Sequence, residues 1–387
     1  MASKPFSKQP LAFKLQTITY GYSLLTIDYG LSTIDHGLLT IDHGPWTIDY
    51  GPWTIDHGLS TMDFCPPPPT FAPIMSKRIA VIGAGISGVS TALLLAEKGH
   101  QLHIISKGFS PNITSNRAAA FWFPYHVRND KRGIGWCRAA YEYFMAHAGE
   151  ETGISMKKII KAVKNNTGDD DSWVEFMPPN QVSLLVNDAA PKGYDKGYQA
   201  SVPLIETQLF LPWVYKQLAA KNAAFIEQEV TDLQPLSQQY DWVVNCTALG
   251  ARTLCNDTAV IPVRGQVVLL EPGFPDFIFL DNQTPAYVVP RKDATIVGGT
   301  YEEHVYDERT EEESLKDILT RAYSVLQGLE GRKIIGNWAG LRPYRPTVRL
   351  EREEGTNIIH NYGHGGSGYT LSFGCAEDVV KLVENGQ

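Results

Sequence analysis

The residues Gly83-Ala84-Gly85-Ile86-Ser87-Gly88 have the GxGxxG spacing of a pyrophosphate cradle. Gly83 permits a tight turn, Gly85 lets a phosphate approach the backbone, and Gly88 lets a helix pack closely on its strand. The free N–H groups that open such a helix carry partial positive charge and suit an anion. The acidic residue that should close the next strand and hold a ribose hydroxyl is absent; Ser106 stands there, followed by Lys107. A serine can still hydrogen-bond a ribose, more weakly than a carboxylate, and Lys107 suits a 2′-phosphate. The motif alone therefore leaves FAD, NAD and NADP open.

These glycines need a strand before them and a helix after them. Arg78 to Ile82 is a short apolar run suited to a buried parallel strand. Val89 to Lys98 has helical character and is stopped by Gly99. Leu102 to Ile105 reads as the second strand of a βαβ unit. Further along, the pattern predicts helices over Arg138 to Ala148, Thr207 to Lys221 and Glu308 to Leu326. It predicts strands over Phe225 to Val230, Trp242 to Cys246, Gly265 to Leu270, Ala286 to Val289 and Ala294 to Val297. A Gly-rich loop, Gly363 to Gly368, precedes a last helix expected from about Cys375 to Glu384.

The first 74 residues are of another kind. From Thr26 to Cys65 a seven-residue unit recurs, opening on Thr-Ile-Asp or Thr-Met-Asp at Thr26, Thr33, Thr40, Thr47, Thr54 and Thr61. That period invites a coiled coil, but glycine in nearly every copy and proline in two would break the helix. Pro66 to Pro69 then form a stiff extended linker. Residues 1–74 read as a disordered, repeat-containing extension, because so short a unit cannot bury a core alone.

Across 387 residues the chain is 43% hydrophobic and 20% charged, with room for two domains and a buried cofactor. A net charge of −8 speaks against a nucleic-acid surface, so any phosphate must be gripped locally. No stretch has the apolar length of a membrane span, and no continuous apolar region follows the basic start. The five cysteines, Cys65, Cys137, Cys246, Cys255 and Cys375, lack metal-ligand spacing and read as reduced thiols. The expectation is a cytoplasmic protein with no metal site, no membrane partner and no nucleic-acid partner.

Gly340-Leu-Arg342-Pro-Tyr-Arg345-Pro346 and His360-Asn-Tyr-Gly-His364-Gly-Gly366-Ser-Gly368-Tyr-Thr370 resemble the signature of the D-amino-acid oxidase family, a group of FAD enzymes. The resemblance takes in the Gly83–Gly88 motif, Ala118 to Tyr125, Val244 to Thr247 and Arg264-Gly-Gln266. It covers Lys77 to Gln387 and none of the repeats. It implies an α/β fold in two interleaved domains. A Rossmann-type FAD-binding domain would comprise residues 75–127, 203–255 and 336–387. A substrate domain with a mixed, largely antiparallel sheet would comprise 128–202 and 256–335. FAD is the implied cofactor, with oxygen and an amino acid as small-molecule partners; a homodimer is left open. The implied reaction is oxidative deamination of a D-amino acid to a 2-oxo acid, ammonia and hydrogen peroxide. Handedness comes from the resemblance alone. A glycine- or sarcosine-type amine oxidase, and a flavin-binding protein without turnover, are the alternatives.

Position by position, the resemblance assigns the substrate carboxylate to Arg342, whose planar guanidinium can make two parallel hydrogen bonds. The competing reading of Arg342 is an ion pair with Glu351 or Glu353, a role that fits Arg345 and Arg349 better. Tyr287 matches a tyrosine that helps hold the same carboxylate, and Gly366 a carbonyl that accepts from the amine. Gly83, Ala84, Gly85, Ile86, Ser87 and Gly88 fall at the pyrophosphate, and Ser106 and Lys107 at the ribose. Thr114 and Ser115 match hydroxyl contacts, and Val230 a backbone contact to adenine. Gly365, Ser367, Gly368, Tyr369 and Thr370 fall against the flavin, where backbone N–H groups favour negative charge on the reduced ring. His364 reads as a structural histidine. Gln283 stands where the family has a lid tyrosine, and Phe123, beside Phe121, where it has a pocket glutamine. Leu280 and Tyr301 stand where an extra arginine would serve a second carboxylate. A neutral substrate is therefore expected; Glu302 and Glu303 would favour a cationic substrate if they faced the pocket, but they read as a solvated loop.

Overall fold

The computed structural model describes residues 76–386 apart from 128–129, 165–170 and 282, together with two short strands nearer the amino terminus. Those two, β1 (Ile18–Tyr20) and β2 (Tyr22–Leu24), pair as an antiparallel hairpin within the extension expected to lack structure. The seven-residue repeats and the proline linker lie outside the described residues.

The apolar run after Lys77 forms β3 (Arg78–Ile82), followed by α1 (Ile86–Glu97) and β4 (Gln101–Ser106). Next come α2 (Gly133–Ala146), β5 (Ile154–Val163), β6 (Val182–Val186), β7 (Lys196–Ile205) and α3 (Thr207–Ala220). The middle continues through β8 (Ala224–Glu227), α4 (Gln234–Ser237), β9 (Trp242–Asn245), α5 (Ala251–Leu254) and β10 (Ile261–Leu270). The remainder is β11 (Ile278–Asp281), β12 (Ala286–Pro290), β13 (Thr295–Gly298), β14 (Glu302–Glu303), α6 (Glu312–Val325), β15 (Ile334–Arg352), β16 (Ile358–His364) and α7 (Gly368–Asn385).

Strands β3 to β16 join one mixed sheet. At one end β8, β4, β3, β9 and β16 run parallel. Residues 79–82 of β3 and all four of β9 are buried, as strands covered on both faces must be. At the other end the pairing is antiparallel except between β5 and β11. The two regimes meet at β15, which pairs with β10 along its first part and with β16 along its second. The register shifts between Tyr344 and Arg349, and Pro343 faces Pro262 across the ladder. Prolines, lacking the N–H, sit where a strand changes partner.

Candidate active site

A cavity of about 1680 Å³ opens beyond the carboxyl ends of β3, β4, β8 and β9, where open α/β sheets bind ligands, and continues along β10, β12 and β15. Its first wall is the glycine turn. Gly83 has φ +107°, which favours glycine, and a Cβ there would lie 2.4 Å from the Cys246 carbonyl oxygen. A Cβ on Gly88 would come within 1.9 Å of the Gly83 carbonyl oxygen, because α1 lies directly on the turn. Gly85 is the N-cap of α1, with no side-chain cap and no acid in the first turn, so the positive helix end is left unneutralised. The Ile86 N–H donates to Ser115 Oγ at 2.9 Å, and Ser87 Oγ donates to the Asn361 carbonyl at 3.1 Å. Gly83 to Ser87, Ser106, Lys107, Thr114, Ser115 and Val230 all line the cavity; Gly88 does not and serves packing. The Ser106 hydroxyl donates to the Gly108 carbonyl at 2.8 Å.

A second wall follows from register. Lys161 pairs with Leu280, Leu280 with Tyr287, Tyr287 with Gly298, Gly298 with Val267, and Val267 with Trp338. Directly opposed residues share a face, and all of these except Gly298 line the cavity. Gly298 leaves a gap that the Tyr287 phenol fills; a Cβ there would be 2.2 Å from Tyr287 Cζ. Arg342 on β15 opposes Val263, and a Cβ on the diagonal neighbour Gly265 would be 2.2 Å from the guanidinium. Two glycines thus clear the space in which Arg342 and Tyr287 lie. Arg342 Nη1 donates to the Thr300 carbonyl at 3.0 Å and has no ion-pair partner among the described residues. Arg345 instead pairs with Asp257 at 3.0 Å, and Arg349 with Glu351 at 2.8 Å. A half-buried guanidinium with no carboxylate of its own is suited to an anionic ligand. Burial pushes the Tyr287 hydroxyl pKa up, against the pull of that guanidinium.

The carboxyl-terminal glycines supply the third wall, through Gly365, Gly366, Gly368, Tyr369 and Thr370. Ser367 does not line the cavity: it is buried and donates to the Tyr125 carbonyl at 2.6 Å. The Thr370 hydroxyl donates to the Phe123 carbonyl at 2.9 Å and accepts from the Phe123 N–H at 3.1 Å, so its side chain is already committed. Helix α7 begins at Gly368 rather than near Cys375, bringing its amino end to this wall. His364 is buried and bonded through Nε2 to Asn361 Oδ1 at 3.1 Å; burial holds its pKa down to about 4, so the ring is neutral near neutral pH.

Beyond Tyr287 the lining is aromatic. Phe121 lies 6.2 Å from Phe123 and 6.5 Å from Tyr287, centroid to centroid, and Phe123 lies 5.4 Å from Trp173. Gln283 is exposed and off this wall, whereas Leu280 and Tyr301 are on it. Glu302 departs from the solvated-loop expectation. It is half-buried on β14 and, although burial pushes it up, hydrogen bonds from Thr300, Gln266 and Arg264 hold its carboxyl below the ordinary value. Sequence reasoning missed Trp173 and Tyr125, whose ring packs where a Gly366 Cβ would lie (2.8 Å). The signal for Tyr125 was the aromatic density from Phe121 onward.

The family model described as FAD dependent oxidoreductase matches residues 78–382. The chain belongs to this family. Among FAD-dependent oxidoreductases, it is 34% identical over 314 residues to the D-amino-acid oxidase of Rubrobacter xylanophilus, covering 79% of this chain and 95% of that protein. It is 32% identical over 321 residues to the D-amino-acid oxidase of Dictyostelium discoideum, covering 80% and 92%. The glycine oxidase of Bacillus cereus has the same fold, with a TM-score of 0.69 at 21% identity over 81% of this chain and 96% of that one. The tight glycine turn on the cavity wall and the start of α1, which has no acid in its first turn, fit the family's dinucleotide.

Proposed function

We propose that this protein is an FAD-dependent D-amino-acid oxidase that takes a neutral D-amino acid, oxygen and water to a 2-oxo acid, ammonia and hydrogen peroxide. The observation that carries this reading is Arg342, a guanidinium with no acid partner among the described residues, on the wall it shares with Tyr287. Identity of 32–34% to D-amino-acid oxidases over most of the chain supports the reaction and the handedness. In this reading Arg342 and the Tyr287 hydroxyl grip the substrate carboxylate, and the Gly366 carbonyl accepts a hydrogen bond from its amine. With both ends held, the Cα–H bond has one orientation left, and orientation is the main contribution these residues make. When bound, FAD supplies the acceptor for that hydrogen and its electron pair, and oxygen takes them on. Gly83 to Ser87 with Ser106, Lys107, Thr114, Ser115 and Val230 would hold the dinucleotide, and Gly365, Gly368, Tyr369 and Thr370 would adjoin the ring, with Gly88 and Ser367 packed behind these walls. The neutral His364 adds no positive charge to that wall. Phe121, Phe123 and Trp173 suit an apolar side chain. The FAD-binding domain (75–127, 203–255, 336–387) and the substrate domain (128–202, 256–335) are part of this proposal. Anaerobic mixing of the flavin-loaded protein with paired D- and L-amino acids and with sarcosine should bleach the flavin with neutral D-amino acids only. Bleaching by sarcosine or L-amino acids alone would refute it.

A further inference from the structure

The cavity holds a carboxylate that the glycine motif does not predict. Ser106 occupies the end of β4, where dinucleotide folds place an acid for the ribose hydroxyls, and its own hydroxyl is already donated to the Gly108 carbonyl at 2.8 Å. The neighbouring strand β8 runs parallel, with Ser106 opposite Glu227, and the Gln228 N–H donates to the Ser106 carbonyl at 2.9 Å. The chain leaving β8 is thus tied beside Ser106. Glu229 comes next, exposed, on the cavity wall with Ser106, Lys107 and Val230. Among the described residues, it is the only acid that the segments following β3, β4, β8 and β9 contribute to this wall, and its carboxylate makes no hydrogen bond or ion pair with them.

We propose that Glu229 is the ribose-binding acid of this protein, moved from the end of β4 to the chain just past the adjacent strand β8. The inference rests on FAD being the cofactor. A carboxylate beside a diphosphate site is repulsive unless it accepts hydrogen bonds, and the 2′- and 3′-hydroxyls of the adenosine ribose are donors of the right kind. The same charge repels a 2′-phosphate, which settles the ambiguity that Lys107 leaves at the level of sequence. Tyr215 donates to the Ala84 carbonyl of the turn and Ser115 Oγ accepts from the Ile86 N–H, so neither of these bonds to the pyrophosphate cradle involves Glu229.

The test is binding, with no turnover involved. Flavin-free full-length protein is titrated with FAD and with its 2′-deoxyadenosine analogue, following quenching of protein fluorescence. Wild type should bind FAD roughly tenfold or more tightly than the analogue, a span typical of a charged hydrogen bond. Glu229→Gln should lose about that factor for FAD and discriminate little between the two ligands. Adding Ser106→Asp to Glu229→Gln should restore both affinity and discrimination. Unchanged FAD affinity in Glu229→Gln, or a preference for FAD over the analogue that survives the substitution, overturns the proposal. Failure of wild type to bind FAD at all would strike the proposed function itself, a separate outcome.

Discussion

A guanidinium held in a cavity without an acid beside it is an uncompensated charge, and Arg342 is kept that way by what its neighbours lack. Gly265 is the clearest case, because the three atoms nearest an added methyl would all belong to the Arg342 guanidinium. Gly265→Ala should therefore fold and take up flavin normally, yet lower kcat/KM by roughly a hundredfold through a displaced Arg342. Arg342→Ala should lose at least as much, since charged hydrogen bonds contribute about 1.5–3 kcal/mol each. Steady-state peroxide assays beside flavin absorbance spectra check both, and a Gly265→Ala enzyme with unchanged kcat/KM would count against the placement of Arg342. His364 gives a prediction in pH. Its folded pKa of about 4 lies below the ordinary 6.5, so between those values the unfolded chain takes up a proton that the folded protein refuses. Stability contributed by keeping this ring neutral is complete above pH 6.5 and falls on acidification towards pH 4, by about 3 kcal/mol in all. Denaturant melts of flavin-saturated protein at pH 7.5 and pH 5 should show a smaller acid loss in His364→Gln than in wild type, and equal losses would assign the effect to other groups.

At the scale of elements, α6 lines the cavity through Ser314, Asp317 and Arg321, and Arg321 ties the helix to the strands. Arg321, paired with Asp317 at 2.9 Å one turn back, donates to the Pro285 carbonyl just before β12 and to the Gly299 carbonyl just after β13, the latter at 3.2 Å. It thereby fastens the helix to both strands that position the Tyr287 phenol. Arg321→Ala should raise KM for the amino acid about five- to twentyfold, with a smaller change in kcat and an unaltered flavin spectrum; a fall in kcat at constant KM would contradict a positioning role. This fastening could not be read from sequence, because a charged helix with an i,i+4 pair looks like any solvated surface helix. The dinucleotide unit was legible because β3 carries the apolar run Ile79 to Ile82, β4 carries Leu102, Ile104 and Ile105, and the glycines punctuate them. Helices α2 and α3 were legible from their amphipathic pattern, within a turn or so at each end. The ten-residue strand β5 was hidden by Lys157, Lys158 and Lys161, and β15 by its arginines and prolines. Arg342 could be recognised by its motif, yet the strand that carries it could not, since β15 is specified by pairing with β10 and β16 rather than by its own pattern.

At the scale of the whole molecule, the cavity draws its walls from segments at both ends of the matched region, from Ile82 to Thr370. A ligand there bridges the parallel and antiparallel parts of one continuous sheet, and anything that binds only this folded arrangement stabilises all of it. Saturation at a hundred times Kd corresponds to about 2.7 kcal/mol, enough to raise the Tm of a chain this size by several degrees. Among the described residues, none that lines the cavity precedes Ile82, and the residues from Phe71 onward form a contact unit of their own. Deleting residues 1–74 should therefore leave both the melting temperature of the flavin-free protein and its gain on adding FAD unchanged within about a degree. Scanning calorimetry of the full and shortened chains, each with and without FAD, decides the matter. If the shortened chain kept its own Tm but lost the gain with FAD, the extension would have a part in holding the dinucleotide, and the boundary of the flavin-binding unit would have to move towards the amino terminus.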